Sequence, residues 1–210
     1  MKTFLFQGDS ITDAGRSRDN NDYRGNGYPT IAAGRLGFEH PGEYKFLNRG
    51  ISGDRVVDVY ARMKRDITEL APDYLSILIG VNDVWHELHE IPNGVDFEKY
   101  YKVYCDLVEE VLHKCPGCKI FILEPFVLEA AATEGNWDLF RREVALRAEM
   151  AKKVAEKYGL VFIPLQEKFN EAAKKAPASY WLLDGVHPSA MGHTLISEEL
   201  CAAFEKALAE

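Results

Sequence analysis

Short apolar segments alternate with amphipathic ones along the whole chain, and this alternation limits the folds that the chain can adopt. The segment at 74–79 is almost continuously apolar, which is typical of a strand buried on both faces of a parallel sheet. Similar short segments lie at 2–7, 44–48, 119–123 and 160–163. Helical patterns lie between and after them, at 28–36, 56–70, 97–113, 137–158, 165–175 and 189–208. The sequence therefore predicts a three-layer α/β/α fold around a five-stranded parallel sheet.

The composition is that of an ordinary globular domain, with 47% apolar and 28% charged residues among 210. Because no linker, internal repeat or low-complexity stretch interrupts the pattern, we expect one domain over residues 1–210. The net charge of −8 argues against nucleic acid as a partner. No segment is apolar enough to span a membrane, and the N-terminal residues do not resemble a secretory signal, so the expected location is cytoplasmic.

Four cysteines are too few and too scattered for a disulfide framework in a chain of this length. Cys115-Pro-Gly-Cys118 has the spacing of a redox motif, but it closes a predicted helix instead of opening one. A zinc ribbon would need a second such pair, which the sequence lacks. We therefore expect a turn with partly buried thiols.

Four separate blocks carry the residue types that acyl transfer needs. They are Gly8-Asp9-Ser10-Ile11-Thr12, Asn48-Arg49-Gly50-Ile51-Ser52-Gly53-Asp54, Gly80-Val81-Asn82-Asp83 and Asp184-Gly185-Val186-His187-Pro188. Working residues of parallel sheets gather on loops at the carboxyl ends of strands, so we expect each block to follow a strand. Taken singly, each block is ordinary, because serine caps helices and glycine, asparagine and aspartate form turns. Together they predict one pocket.

The chemistry of these residue types indicates an activated serine. A glycine beside Ser10 allows the sharp turn that presents a hydroxyl among backbone N–H groups. Asp184 and His187 are three residues apart, so the carboxylate can contact Nδ1 while Nε2 accepts a hydroxyl proton. The amide of Asn82 can donate to an oxygen on which negative charge develops.

The four blocks resemble those of the SGNH/GDSL hydrolase family, which is named for a serine, a glycine, an asparagine and a histidine in four loops. The resemblance covers nearly the whole chain and implies a flavodoxin-like fold with no metal and no cofactor. It also implies that Ser10 is the nucleophile, that His187 is the base and that Asp184 orients it. The oxyanion hole would consist of the backbone N–H groups of Ser10 and Gly53 and the side chain of Asn82.

The residues that flank these blocks are most similar to those of the intracellular acetylxylan esterases of this family. The similar runs are Gly8 to Arg16, Asn48 to Gly53 and Gly80 to Trp85. Those enzymes remove acetyl groups from xylo-oligosaccharides. The similarity therefore implies a small acylated substrate, in particular an acetylated oligosaccharide, and it is compatible with a homo-oligomer.

Four further residues are candidates for binding the substrate, and each also has a structural interpretation. Trp85 and Trp181 lie close in sequence to the blocks, and either ring can stack on a sugar or pack in the core. Arg55 can contact a polar substrate or form a surface ion pair. Asp9 and Asp13 suggest a metal-binding pair, but the resemblance implies that the residue matching Asp9 supports its loop.

Three histidines have simpler interpretations than catalysis. His86 and His89 are three residues apart, whereas a zinc-protease helix places its histidines four apart, so we expect surface histidines. His193 has no neighbouring carboxylate in the sequence, and we expect it to pack or hydrogen-bond in the last helix.

Other functions remain open at this point. A lipase, thioesterase or lysophospholipase of the same family would need an apolar channel, whereas the segment at 15–22 is polar and charged. A silent carbohydrate-binding module would not need Ser10, Asp184 and His187 together. A phosphate-binding domain is disfavoured because the sequence has neither a dinucleotide fingerprint nor a Walker-type lysine.

Overall fold

The computed structural model describes residues 1–209, and its centre is a five-stranded parallel sheet. The strands are β1 (Lys2–Gly8), β2 (Tyr44–Asn48), β3 (Tyr74–Leu78), β4 (Lys119–Leu123) and β5 (Val161–Ile163). Their order is β2-β1-β3-β4-β5, and all four neighbouring pairs are parallel. The predicted fold class is confirmed.

The helices account for most of the remaining chain. They are α1 (Ser10–Asp13), α2 (Tyr28–Glu39), α3 (Val56–Asp66), α4 (Val81–Trp85), α5 (Phe97–Lys114), α6 (Trp137–Tyr158), α7 (Gln166–Ala173), α8 (Ala178–Trp181) and α9 (Ala190–Ala209). The longer helices agree with the predictions to within a few residues at most ends. The sequence analysis missed α1, α4 and α8, because four or five residues are too short to show a helical period.

The helix predicted at 56–70 is shorter than expected. It ends at Asp66, where Ile67 leaves the helical conformation with φ −135° and ψ −69°. Ile67 is completely buried, and a short 3₁₀ turn over Thr68–Leu70 follows it. The chain thus leaves the helix at the point where the Ile67 side chain is buried. An amphipathic pattern alone does not reveal this end of the helix.

Side chains on the two faces of the sheet build two separate cores. Along β1, Phe4 and Phe6 enter one core with residues of α2 and α9, whereas Leu5 enters the other with residues of α3 and α5. Successive strand residues point to opposite faces, so a strand covered on both sides must be apolar throughout. This double burial explains the continuous apolar segments in the sequence.

The connections place the sheet's working edge at the carboxyl ends of the strands. The strand order reverses between β1 and β3, because β2 lies on one side of β1 and the later strands lie on the other. The loops after β1 and β3 diverge at such a reversal and leave a crevice. Ser10 and Asn82 lie just beyond these two strand ends.

Cys115 and Cys118 are free and more deeply buried than expected, and burial raises the pKa of the Cys118 thiol to about 12. None of the helices within residues 1–209 has the length and apolar character that crossing a membrane requires.

Candidate active site

Ser10 is the first residue of α1, two residues after the end of β1. Asp9 caps this short helix, since its Oδ1 accepts a hydrogen bond from the backbone N–H of Ile11 at 2.9 Å. Asp9 is only 1% exposed, and burial raises its pKa to about 7. Asp9 therefore shapes the Ser10 turn and is too buried to be a contact for a large substrate.

Ser10, His187 and Asp184 form a continuous hydrogen-bonded series. Ser10 Oγ lies 3.0 Å from His187 Nε2, and His187 Nδ1 lies 2.7 Å from Asp184 Oδ2. With Nδ1 protonated toward the carboxylate, Nε2 is the acceptor that faces the hydroxyl. The two ends of the chain, 177 residues apart in sequence, thus meet at one hydroxyl group.

Asp184 is held as an ionised, oriented carboxylate. Its other oxygen, Oδ1, accepts hydrogen bonds from the backbone N–H groups of Val186 and His187 at 2.9 and 2.8 Å. Burial alone would raise the pKa of Asp184, but these hydrogen bonds and the His187 ring outweigh it and lower the pKa. The carboxylate cannot rotate without losing both backbone contacts.

The block that contains Asp184 and His187 does not follow a strand, contrary to expectation. It follows α8 and lies in a tight loop, in which Leu182 and Pro188 form an isolated antiparallel bridge. The loop is attached to the segment after β4, where Leu128 N–H donates to the carbonyl of Gly185 at 2.9 Å. The chain beyond β5 thus returns to the working edge through helices, and the segment after β4 holds its loop in place.

The predicted donors Gly53 and Asn82 lie in the segments that follow β2 and β3. Gly53 has φ +86°, which disfavours other residues, although a Cβ there would meet nothing within 4 Å. The glycine is thus required for backbone conformation and not for room. Asn82 is 7% exposed and donates through Nδ2 to the carbonyl of Asp54 at 3.1 Å. An amide carries two hydrogens, so Asn82 keeps a second one to donate.

A close approach between two backbone segments occurs instead at Gly50, a residue that the sequence analysis did not single out. A Cβ at Gly50 would lie 2.4 Å from the backbone nitrogen of Asp13. Asn48 holds the same contact: its Nδ2 donates to the carbonyl of Thr12 at 2.6 Å and its Oδ1 accepts from Gly50 N–H at 2.9 Å. Asp13 accepts from both the N–H and the hydroxyl of Ser52. These contacts fix the second block against the first.

Asp83 performs the same task between the second and third blocks. Both of its carboxyl oxygens accept from the backbone N–H of Val56, at 3.1 and 3.2 Å. The side chain is completely buried, and burial raises its pKa well above the ordinary value. Sequence analysis did not reveal this role, because the partner is a backbone group 27 residues away.

Of the other candidates for substrate binding, Trp85 lies against the hydrogen-bonded series. Its ring centroid is 5.8 Å from that of His187 and 5.8 Å from that of Phe140. Arg55 is engaged elsewhere, with a bidentate ion pair to Asp58 and a hydrogen bond to the carbonyl of Asn93. Trp181 lines a separate cavity between α7 and α9.

The remaining histidines lie outside the series. His193 is 8% exposed, its Nδ1 accepts from the backbone N–H of Tyr28 at 3.1 Å, and burial lowers its pKa to about 4. Within residues 1–209, the one group with metal-ligand spacing comprises Glu39, His40 and Glu205, and it includes neither His86 nor His89. His40 and Glu39 precede β2, so this group lies at the opposite end of the sheet from Ser10.

Comparison with known proteins agrees with this geometry. The model of the GDSL-like lipase/acylhydrolase family matches residues 6–195. The chain belongs to that family. The family hydrolyses carboxylic esters, and this chain is accordingly a member of a family of ester hydrolases.

Several known proteins are similar to this chain over almost their whole length. An acetylxylan esterase from Geobacillus stearothermophilus is 35% identical over 204 residues, which cover 92% of this chain and 89% of the relative. The crystal structure of the acetylxylan esterase Axe2 from the same organism has a TM-score of 0.86 at 31% identity, covering 96% of this chain and 93% of that one. An alpha/beta hydrolase from the Lake Arreo metagenome gives 0.87 at 27% identity, with coverages of 97% and 95%.

Proposed function

We propose that this GDSL-like esterase removes acetyl groups from acetylated carbohydrates, such as xylo-oligosaccharides, through an acetyl-Ser10 intermediate. The observation that carries the proposal is the unbroken series from the Ser10 hydroxyl through both nitrogens of His187 to Asp184, with distances of 3.0 and 2.7 Å. A serine hydroxyl is a weak nucleophile at neutral pH, and an adjacent base is what activates it.

In the first half of the reaction, Ser10 Oγ attacks the acetyl carbonyl carbon while its proton passes to His187 Nε2. Asp184 stabilises the imidazolium that forms. Negative charge develops on the former carbonyl oxygen, and the N–H groups of Ser10 and Gly53 and the amide of Asn82 receive it. The carbon–oxygen bond to the sugar then breaks, and His187 returns the proton to the departing hydroxyl.

In the second half, water replaces the sugar. His187 takes a proton from the water as it attacks the acetyl-Ser10 carbonyl, and the same donors hold the developing charge. Collapse of this intermediate breaks the bond to Ser10 Oγ, which recovers its proton from His187, and acetic acid leaves. The acid ionises in solvent to acetate and one proton. No electrons are transferred in either half, so the cycle needs no redox cofactor.

The character of the neighbouring surface supports a polar substrate over a lipid. Residues 15–22, which follow α1, are polar or charged apart from one glycine, and most are exposed. Trp85 supplies an aromatic face next to His187, of the kind that packs against a sugar ring. The similarity to acetylxylan esterases points in the same direction.

Covalent labelling tests the nucleophile. A serine-directed phosphonate should add one adduct, located by peptide mass spectrometry at Ser10. The Ser10→Ala variant should form no adduct, and its kcat should be lower by roughly 10⁶-fold. Ser179→Ala is the matched control, because Ser179 is exposed on α8. Labelling at another residue, or a Ser10→Ala variant that keeps its turnover, would contradict the proposal and favour a binding module.

A substrate panel tests the acetylated carbohydrate. Acetylated xylo-oligosaccharides should be hydrolysed with a higher kcat/KM than aryl acetates that lack a sugar. Equal rates on both would leave an esterase without carbohydrate preference.

The proposal also includes the setting of the reaction. We place it in the cytoplasm, on small acylated molecules, with neither nucleic acid nor a membrane as partner. The net charge of −8 supports the exclusion of nucleic acid. Cell fractionation followed by immunoblotting tests the location.

A further inference from the structure

Four arginines surround one cavity outside the catalytic series. The cavity has a volume of about 470 Å³. Its lining residues are Arg16, Arg18, Arg49, Ile51, Arg65, Asp66 and Leu70. Such a concentration of guanidinium groups is unexpected in a chain whose net charge is −8. We call it the arginine cavity.

Two of the four positive charges are balanced by carboxylates. Arg18 pairs with Asp13 at 2.7 Å, and Arg65 pairs with Asp66 at 2.7 Å. Asp66 is shared further, because Arg62 also donates to it at 3.1 Å. Asp13 and Asp66 act on Arg16 at longer range, and Asp66 acts on Arg49, but neither carboxylate forms an ion pair with these two arginines.

Arg16 and Arg49 have only neutral partners. Arg16 donates to the backbone carbonyls of Gly50 and Ser17, and Arg49 donates to the side chain of Asn21 and to the carbonyl of Asn48. Among residues 1–209, no carboxylate oxygen lies within 4.0 Å of either guanidinium. The arginine cavity thus carries about two uncompensated positive charges.

The electrostatics reflect this imbalance. Burial and the positive charge of Arg18 lower the pKa of Arg16 to about 10, and burial also lowers the pKa of Arg49. Desolvation and neighbouring positive charge both disfavour the charged form of a cationic side chain. An anion in the arginine cavity would offset the repulsion among the guanidinium groups.

A backbone hydrogen bond joins the arginine cavity to the segment before Ser10. Ile51 lines the cavity, and its backbone N–H donates to the carbonyl of Gly8, two residues before Ser10. Arg49 and Ile51 belong to the same block as Gly53. A group bound in the arginine cavity would therefore contact a segment that continues to the predicted oxyanion-hole donor Gly53.

We propose that the arginine cavity binds a carboxylate or a similar oxyanion. The planar fork of a guanidinium suits such groups, which it can bind through two parallel hydrogen bonds. Building on the proposed function, the anion is a uronic acid substituent of the acetylated oligosaccharide, so that the esterase selects acidic substrates. A free inorganic anion is the other source of the same chemistry, and the experiment separates the two.

The first measurement is anion binding, which does not depend on turnover. Sodium sulfate is titrated into the protein by isothermal titration calorimetry at low ionic strength, with sodium chloride as reference. Arg49→Gln should weaken sulfate binding about tenfold, since one charge-assisted contact is lost. Arg141→Gln, on the exposed face of α6, removes the same charge elsewhere and should bind as the unmodified protein does.

A second cavity variant guards against misfolding. The side chain of Arg65 is 71% exposed, so Arg65→Gln should leave the fold intact and also weaken sulfate binding. No sulfate binding by the unmodified protein, or equal binding by the Arg49, Arg65 and Arg141 variants, would overturn the proposal.

The second measurement identifies the source of the anion. Acetylated xylo-oligosaccharides with and without a glucuronic acid substituent are compared as substrates. A kcat/KM about tenfold higher for the acidic substrate, retained by Arg141→Gln and lost by Arg49→Gln, indicates the substrate's carboxylate. Equal rates together with Arg49-dependent sulfate binding indicate a free anion. If neither oligosaccharide is hydrolysed, the proposed function fails while the titration still decides the anion site.

Discussion

The side-chain amide of Asn82 donates a hydrogen bond to the backbone carbonyl of Asp54, at a distance of 3.1 Å. Asp54 follows Gly53 directly, so this contact joins the two loops that are expected to form the oxyanion hole. Asp83 adds a second connection between the same loops through Val56. The relative position of the proposed donors is therefore fixed before any substrate arrives, which is what electrostatic stabilisation of a transition state requires.

Replacing Asn82 should reduce turnover more than binding. In Asn82→Ala, one donor to the developing oxyanion is lost, and we expect kcat to fall about 10²–10³-fold with little change in KM. Steady-state kinetics with an aryl acetate measures both parameters. Asn136→Ala, at an exposed asparagine without a capping hydrogen bond, should match the unmodified enzyme. A rise in KM at unchanged kcat would show that Asn82 contributes to binding alone.

Neutralising Asp184 should disable the base without removing it. Asn at this position can no longer hold the His187 tautomer that leaves Nε2 free to accept, so kcat should fall by about 10⁴. The measurement is turnover of Asp184→Asn against Asp138→Asn, whose side chain is 95% exposed on α6. Comparable loss in both variants, or a normal rate in Asp184→Asn, would mean that His187 needs no carboxylate.

Acyl chain length should distinguish an acetyl esterase from a lipase. Polar and mostly exposed residues at 15–22 offer no apolar surface for a long acyl chain. We expect kcat/KM on aryl esters to fall about tenfold or more from acetate to octanoate, because added methylenes gain no burial. The test is a series of esters with a common aryl leaving group. A maximum at octanoate would favour the lipase alternative.

His193 should make the fold sensitive to mild acid. Burial lowers its pKa from 6.5 to about 4 in the folded protein, so at pH 5 the unfolded chain binds a proton that the folded protein does not. Its contribution to stability is complete above pH 6.5 and declines as the pH falls toward 4, by about 2 kcal/mol between pH 7 and pH 5.

Urea unfolding at the two pH values measures this difference. His193→Gln should remove the His193 contribution to the pH dependence, while His113→Gln, at an exposed position on α5, should keep it. The raised pKa values of Asp9 and His40 act in the opposite direction, but these effects are common to all three proteins, so the difference between proteins isolates His193. An unchanged slope in His193→Gln would show that His193 is already charged in the folded state.

The fold could be predicted because strands that are buried on both faces of a sheet have recognisable apolar segments in the sequence. Phe4 and Leu5 are both completely buried, in different cores, and β3 and β4 are apolar over most of their length. The short helices could not be predicted, since α1 and α8 have four residues each and no full period. The early end of α3 at Asp66 could not be predicted either, because the burial of Ile67 is a tertiary contact that the local pattern does not show.

The candidate site was predictable where residue type itself carries the chemistry. The residue types of Ser10, His187 and Asp184 indicate a nucleophile, a base and a carboxylate that orients the base. The structure brings the three side chains together. Asn48 and Asp83 were not predictable as loop connectors, because their partners are backbone groups of distant segments. Trp181 illustrates the converse, since its closeness in sequence to Asp184 did not place it with the catalytic series.

The position of Ser10 and His187 near opposite ends of the chain has a consequence for biosynthesis. Ser10 emerges from the ribosome early, but His187 follows 177 residues later, after every strand of the sheet. Under the proposed mechanism, a nascent or truncated polypeptide therefore holds an unactivated alcohol. Hydrolysis then begins only when the last loop docks, so the appearance of activity during synthesis or refolding reports completion of the native state.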